Sequence, residues 1–123
     1  MNRVTVYATG SCSTQTREGR SRVLIEQDGL KTVAQFTYQN TTAKRCVIQG
    51  LIDGVSQLQD ACHVTLVTST PLALEKARHG EGPNRDLIEA LLGLLARKGC
   101  KHEFNFWEGR GQELNQLFSR FQR

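Results

Sequence analysis

The opening residues alternate between apolar and polar side chains. In the run VTVY at 4–7 this alternation has the period of two that is typical of a strand. Two further β-rich runs, at 22–27 and 32–39, are joined at Asp28 and Gly29. Asp-Gly between such runs favours a tight hairpin, because both residues tolerate positive φ. The first third of the chain therefore predicts a three-stranded meander.

After the meander the apolar period changes to that of a helix. Between 42 and 59, apolar residues recur at steps of three and four, and Thr41 or Thr42 is available as the N-cap. A β pattern returns at 63–68, and Pro71 then begins a short helix that is expected to end near Arg78. These patterns predict a helical crossover from the third strand to the fourth.

The last third repeats the alternation of helix and strand. A second long helix is capped at Asn84 or Asp86 and closes at 98–99, and a fifth strand spans 102–107. A glycine-containing turn at 109–111 leads into a final amphipathic helix. The predicted order is βββαβααβα, and it indicates an α/β fold with a five-stranded mixed sheet flanked by helices.

The composition is that of an ordinary globular domain. The chain has 123 residues, of which 38% are hydrophobic and 23% charged, so we expect residues 1–123 to form one domain. The longest apolar run, near 87–96, is too short to cross a bilayer, and the N-terminus lacks an apolar signal core. We therefore expect a cytoplasmic protein.

The net charge and the cysteine content exclude few classes of partner or site. The net charge of +4 and the pI near 9.1 are compatible with a polyanionic partner and equally with a solvated surface. The four cysteines are widely spaced with no C-x-x-C pair, which favours reduced structural thiols over disulfides or a zinc site.

Four motifs resemble those of type one ribonuclease H. VYATGSC at 6–12 is similar to that family's Y-x-D-G-S-C, and TTAKRCVI at 41–48 to its first-helix pattern T-T-x-x-R-x-E-L. VTLVTST at 64–70 is similar to a fourth strand ending in T-D-S, and FNFWEGRG at 104–111 to a tryptophan-containing strand followed by K-G-H. The motifs occur in the family's order over essentially the whole chain, so the resemblance implies the ribonuclease H-like fold.

The resemblance also implies where the family's catalytic groups would fall. Family members hold two Mg²⁺ ions with carboxylates, and hard, charged oxygen ligands are what Mg²⁺ prefers. Carried onto this chain, the four ligand positions fall on Thr9, Val47, Ser69 and, less directly, Ser119, and the mobile histidine falls on Arg110. No carboxylate stands at any of them. From this we predict that the protein is not an enzyme and that it holds no metal or other cofactor.

Acidic residues outside the four aligned positions leave open the hypothesis that the protein is a nuclease. Asp53 is predicted to point away from the face of Val47, whereas Glu108 and Glu113 flank the last turn and could approach one side of the site. The alternative hypothesis is therefore a divergent metal-dependent ribonuclease that cleaves the RNA of RNA–DNA hybrids with a non-standard ligand set.

Binding is the leading functional hypothesis from the sequence. The nucleic-acid-binding candidates are Thr42, Lys44, Arg45 and Arg110, which the resemblance places near a hybrid's backbone. The predicted function is a module that binds an RNA–DNA hybrid or duplex weakly and in a salt-dependent way, or that binds a protein partner or a second copy of itself. We expect neither a membrane nor a small-molecule substrate.

Overall fold

The computed structural model describes residues 2–72 and 74–121, and it confirms the predicted order of elements. The strands and helices are β1 (Asn2–Cys12), β2 (Gly19–Gln27), β3 (Leu30–Tyr38), α1 (Ala43–Ser56), β4 (Cys62–Thr68), α2 (Leu74–Arg78), α3 (Arg85–Arg97), β5 (Lys101–Phe106) and α4 (Gly111–Phe121). Thr42 is the N-cap of α1, as one of the two predicted alternatives had it. The short helix begins at Leu74 rather than Pro71, since Pro71 and Leu72 are not helical and position 73 lies outside the described residues.

The five strands form one mixed sheet in the order β3-β2-β1-β4-β5. The first three strands pair antiparallel, whereas β4 pairs parallel with both β1 and β5. The turn between β2 and β3 has φ of 54° at Asp28 and 79° at Gly29, so both residues adopt the left-handed conformation that the Asp-Gly signal predicted. The predicted mixed sheet with a helical crossover is confirmed.

The two faces of the sheet bury different layers. Along β1, Val4, Val6 and Ala8 face the main core, which also contains the buried faces of α1 and α3. On the opposite face, Tyr7 packs against a smaller cluster built on Leu24 and two buried residues of α4, Leu114 and Phe118. Because side chains alternate along a strand, consecutive residues of β1 lie alternately on the α1 face and on the α4 face.

Gly10 allows α1 to approach the end of β1 closely. A Cβ at this position would lie 2.7 Å from both the Ala43 carbonyl oxygen and the Val47 amide nitrogen, which is closer than real Cβ atoms come. The contact is with backbone, which cannot rotate away as a flexible side chain can. A side chain at position 10 would therefore push apart the β1 end and the first turns of α1, the region where the candidate site lies.

Two further expectations concern thiols and membranes. All four cysteines are free thiols, and Cys46, Cys62 and Cys100 are buried, in agreement with structural roles. Within residues 2–72 and 74–121, the structure contains no helix that is long and apolar enough to cross a membrane.

Candidate functional site

The antiparallel register of β1 and β2 brings hydroxyl groups beside arginines. Thr9 lies directly opposite Arg22, and Ser11 lies opposite Arg20. Residues that pair across strands project from the same face, and here that is the face covered by α4. The four side chains, together with Gly10 and with Asn115 of α4, line a cavity of about 220 Å³.

Helix α4 holds one of these arginines in place. The Arg22 guanidinium donates a hydrogen bond of 2.8 Å to the Asn115 side-chain oxygen, and it lies 5.1 Å from the centroid of the Phe118 ring. Because Phe118 is fully buried, the ring is a fixed platform for this cation–π contact. Arg20 is exposed, and among the described residues it forms no ion pair.

Val47 and Ser69, which also fall at positions where the family resemblance implies a metal ligand, have different surroundings from Thr9. Val47 is 5% exposed and packs against Gly10, so it closes the α1 side of the β1 end with an apolar side chain. Ser69 directly follows β4, and its side chain lies beside Gly111 at the start of α4. Neither Val47 nor Ser69 lines the cavity that contains Thr9, so their place in one site with Thr9 stays a prediction.

Asn115, rather than Ser119, is the α4 residue that lines the cavity with Thr9. Ser119 lies one helical turn further along, is exposed, and donates its hydroxyl to the Asn115 carbonyl oxygen at 3.1 Å. Sequence reasoning placed the fourth position at Ser119 and missed Asn115. The sequence offers no signal that separates the two, because residues four apart lie on the same face of a helix.

These residues do not fit the two-metal site that the family resemblance implies. Thr9 and Ser69 offer neutral hydroxyls, Val47 offers no oxygen, and Asn115 offers an amide whose oxygen already accepts from Arg22. Nowhere in the described part of the chain do three or more His, Cys, Asp or Glu side chains form a group that could hold a metal ion. The two nearby guanidinium groups would also repel a cation.

The acids considered as substitute ligands are engaged elsewhere or exposed. Glu113 accepts hydrogen bonds of 2.8 and 3.1 Å from Arg110, and this contact lowers the pKa of Glu113. Arg110 in turn lies 4.6 Å from the centroid of the Trp107 ring. Asp53 accepts a 2.6 Å hydrogen bond from the Tyr38 hydroxyl at the β3 side of the sheet, so it points away from the site, as predicted.

The N-terminus of α1 presents the other binding candidates. The Thr42 side chain accepts a 3.2 Å hydrogen bond from the Arg45 amide, which caps the helix, and Lys44 is half-buried in the first turn. The Arg45 guanidinium donates to both carboxylate oxygens of Asp86 on α3, at 2.9 and 3.1 Å. This contact lowers the pKa of Asp86, and it gives Arg45 a competing anionic partner within the protein.

A second cavity lies between this helix N-terminus and the β1–β2 loop. It has a volume of about 260 Å³, and its polar lining consists of hydroxyl groups, one thiol and one guanidinium: Ser13, Thr14, Thr41, Thr42, Cys12 and Arg17. Arg17 and Asn40 adopt positive φ of 60° and 52°. Asparagine tolerates this conformation, whereas it costs arginine about 1 kcal/mol or more. The Thr41 amide donates to the Arg17 carbonyl oxygen at 3.1 Å, so the two segments are tied together.

Two curated relatives that are similar to this chain are both named Ribonuclease H. The protein from Nitratidesulfovibrio vulgaris is 32% identical over an alignment of 124 positions, which covers 88% of this chain and 77% of the relative. The chain belongs to the ribonuclease H family. The protein from Caldicellulosiruptor saccharolyticus is 30% identical over 70 residues, which cover 57% of this chain and about half of the relative, 48%. No protein-family model matches this chain.

This comparison corrects one prediction from the sequence. The expectation that the protein is not an enzyme is wrong, because the curated relatives of this chain carry the name of an enzyme. The prediction rested on counting carboxylates at four aligned positions. Such a count tests only one ligand arrangement, and it does not test whether other residues support a reaction.

Proposed function

We propose that this ribonuclease H domain binds double-stranded nucleic acid, in the first place an RNA–DNA hybrid, through contacts with the sugar–phosphate backbone. The proposed surface joins the β1–β2 loop to the N-terminus of α1. The observation that carries the proposal is the 260 Å³ cavity there, in which hydroxyl groups surround one guanidinium and no carboxylate. Side-chain hydroxyls, arginines and helix N-termini are the groups that commonly contact phosphate oxygens.

Electrostatics support the same surface. Lys44 follows the cavity directly in the first turn of α1, where the helix dipole adds partial positive charge. No acidic residue occurs in that first turn. The backbone strain at Arg17 supports the proposal as well, because such conformations cluster at binding sites.

Binding of this kind is expected to be weak and to depend steeply on salt. Each lysine or arginine that neutralises a phosphate contributes about 0.9 to the slope of log affinity against log salt. The proposal includes the cytoplasmic location expected from the sequence. Duplexes of this kind and reduced thiols would occur together there.

A gel-shift titration at about 50 and 200 mM salt tests the proposal. Labelled hybrid and DNA duplex of one sequence would be compared for the wild type and for Arg17→Gln and Lys44→Gln. Each substitution should weaken binding and reduce the salt slope by about 0.9. Lys101→Gln, an exposed residue of the edge strand β5, is the matched control and should leave the slope unchanged.

Two results would overturn the proposal. One is the absence of duplex binding at the lower salt concentration, and the other is an equal loss in the Lys101→Gln control. Self-association in the same samples, measured by analytical ultracentrifugation, would then favour the protein-interaction hypothesis instead.

The name of the relatives supports a second candidate, hydrolysis of the RNA strand of a hybrid. Its test is incubation of labelled hybrid with Mg²⁺ or Mn²⁺. Cleavage that is lost in Glu113→Ala and kept in Glu89→Gln would support a non-standard ligand set that includes Glu113. A hybrid that stays intact with both metals would count against this candidate.

A further inference from the structure

We propose that the cavity lined by Thr9, Ser11, Arg20, Arg22 and Asn115 binds a phosphate group directly through these side chains. This cavity lies where the family resemblance implies a carboxylate-bound metal pair. This cavity would give the proposed duplex-binding surface a second contact with a phosphate group, at the same end of the sheet. The inference rests on the proposed function only in assuming that the phosphate belongs to a nucleic acid.

The charge of the cavity is the first observation. Two arginines line it, and no described lining residue is acidic. Among the described residues, no carboxylate forms an ion pair with Arg20. Two guanidinium groups in a cavity whose described lining is not acidic attract an anion and disfavour a cation.

The geometry of the donors is the second observation. The β1–β2 register fixes Thr9 opposite Arg22 and Ser11 opposite Arg20, so two hydroxyls and two guanidiniums share one face. The Asn115 oxygen accepts from Arg22, which leaves the amide NH₂ of Asn115 as the donor on its other side. Arginine and hydroxyl donors together match the oxygens of a tetrahedral anion.

The support beneath the arginines is the third observation. The Arg22 side chain is held by Asn115 and stacked over the buried Phe118 ring, so its orientation is set by the fold. Arg20 is exposed and can turn toward an incoming anion. A pre-positioned guanidinium loses less freedom when it binds, which favours affinity.

The test uses the full chain and inorganic phosphate, followed by NMR of backbone amides and by calorimetry. The wild type should bind phosphate saturably, with amide shifts around Gly10 and Ser11. Arg20→Gln removes one charged donor, and Ser11→Asp places a carboxylate opposite Arg20. Each should weaken phosphate binding about tenfold or more, as expected for loss of a charged hydrogen bond.

Two matched variants control for folding and for net charge. Ser11→Asn has the size of the aspartate variant without its charge, so it separates the effect of the carboxylate from that of size and should lose much less affinity than Ser11→Asp. Arg3→Gln removes the same charge from the exposed start of β1, roughly 20 Å away along the strand, and should have no effect. Absence of saturable binding, or an equal loss in Arg3→Gln, would overturn the inference.

A second arm identifies the source of the phosphate. Competition of inorganic phosphate with the labelled hybrid, lost in Arg20→Gln, would assign the site to the nucleic-acid backbone. Phosphate binding that depends on Arg20 in a protein that binds no duplex would assign the site to a free phosphate group and refute only the proposed function. Duplex binding without any phosphate binding at Arg20 would refute only this inference.

Discussion

Asp86→Asn is expected to strengthen duplex binding, because it removes the anion that competes with phosphate for Arg45. In the free protein, the Arg45 guanidinium donates to both Asp86 carboxylate oxygens, at 2.9 and 3.1 Å, and its remaining contact is a 3.3 Å hydrogen bond to Asn84. An asparagine at position 86 keeps the size of the side chain and removes its charge. Arg45 would then meet a phosphate without first leaving a carboxylate.

The exposure of the pair sets the magnitude. The Arg45 and Asp86 side chains are 29% and 59% exposed, so solvent screens the interaction, and a bidentate surface pair contributes at most about 1 kcal/mol. Loss of the pair should therefore lower the free energy of unfolding by less than about 1 kcal/mol. Duplex binding no longer has to break the ion pair, so the affinity for the duplex should rise by up to about fivefold. The slope of log affinity against log salt should become steeper by about 0.9.

A double-mutant cycle measures this effect by gel shift at two salt concentrations. Asp86→Asn should raise affinity in the wild type but not in an Arg45→Ala background. Glu89→Gln, which removes an exposed charge from the same helix, is the control for net charge. An equal gain in Glu89→Gln, or no gain in Asp86→Asn, would refute the reasoning that Arg45 contacts the duplex.

The pair also predicts how the stability difference depends on pH. The hydrogen bond from Arg45 lowers the pKa of Asp86 below its ordinary value of 3.8. A carboxyl with a depressed folded pKa contributes stability above its unfolded pKa and loses it as the pH falls through the folded value. The stability gap between the wild type and Asp86→Asn should therefore close below about pH 3.8, measured by urea unfolding.

The remaining predictions concern two glycines in helices and one buried thiol. Gly54→Ala in α1 should destabilise the fold, since its Cβ would lie 2.8–2.9 Å from two valine side chains and overpacking costs about 1–3 kcal/mol. In Gly93→Ala, in α3, the new Cβ would meet only the flexible end of an arginine at 3.3 Å, so this variant should be more stable by up to about 1 kcal/mol. Urea midpoints that move in the same direction in the two variants would contradict the packing argument. Burial, followed by contact with Cys100, raises the pKa of Cys62 from 9.0 to about 11. The contribution of this neutral thiol to the free energy of unfolding is therefore complete below pH 9.0 and lost toward pH 11. Cys62→Ala should flatten this decline when unfolding is measured at alkaline pH. An unchanged decline would exclude the Cys62 thiol as its source.

The order of the elements could be predicted because it depends on local patterns. The Asp28-Gly29 hairpin, the helical period of α1 and the alternation in β1 each involve residues within a few positions of one another. The structure extends several boundaries, since β1 runs from Asn2 to Cys12 and not only over the alternating run at its start. Pairing with β2 and β4 continues a strand beyond the residues whose own pattern identifies it.

The candidate site could be predicted only in part. Family motifs led to Thr9, Val47 and Ser69, of which only Thr9 lines the cavity, and the α4 residue that lines it is Asn115. A one-turn difference in a helix leaves the apolar pattern nearly unchanged, so the pattern cannot distinguish Asn115 from Ser119. Tertiary contacts decide it: Asn115 accepts a hydrogen bond from Arg22, which lies opposite Thr9 in the β1–β2 register.

The sequence by itself determined the α/β class, the succession of strands and helices, and the absence of carboxylates at the family's ligand positions. Only the tertiary structure decided which charges meet. Arg45 and Asp86 are 41 residues apart, and Arg22 and Asn115 are 93 apart, yet both pairs are in hydrogen-bond contact. The β1–β2 register likewise sets Arg20 and Arg22 opposite two hydroxyls. Strand register and helix docking arise from burying many apolar side chains at once, and no local segment contains that information.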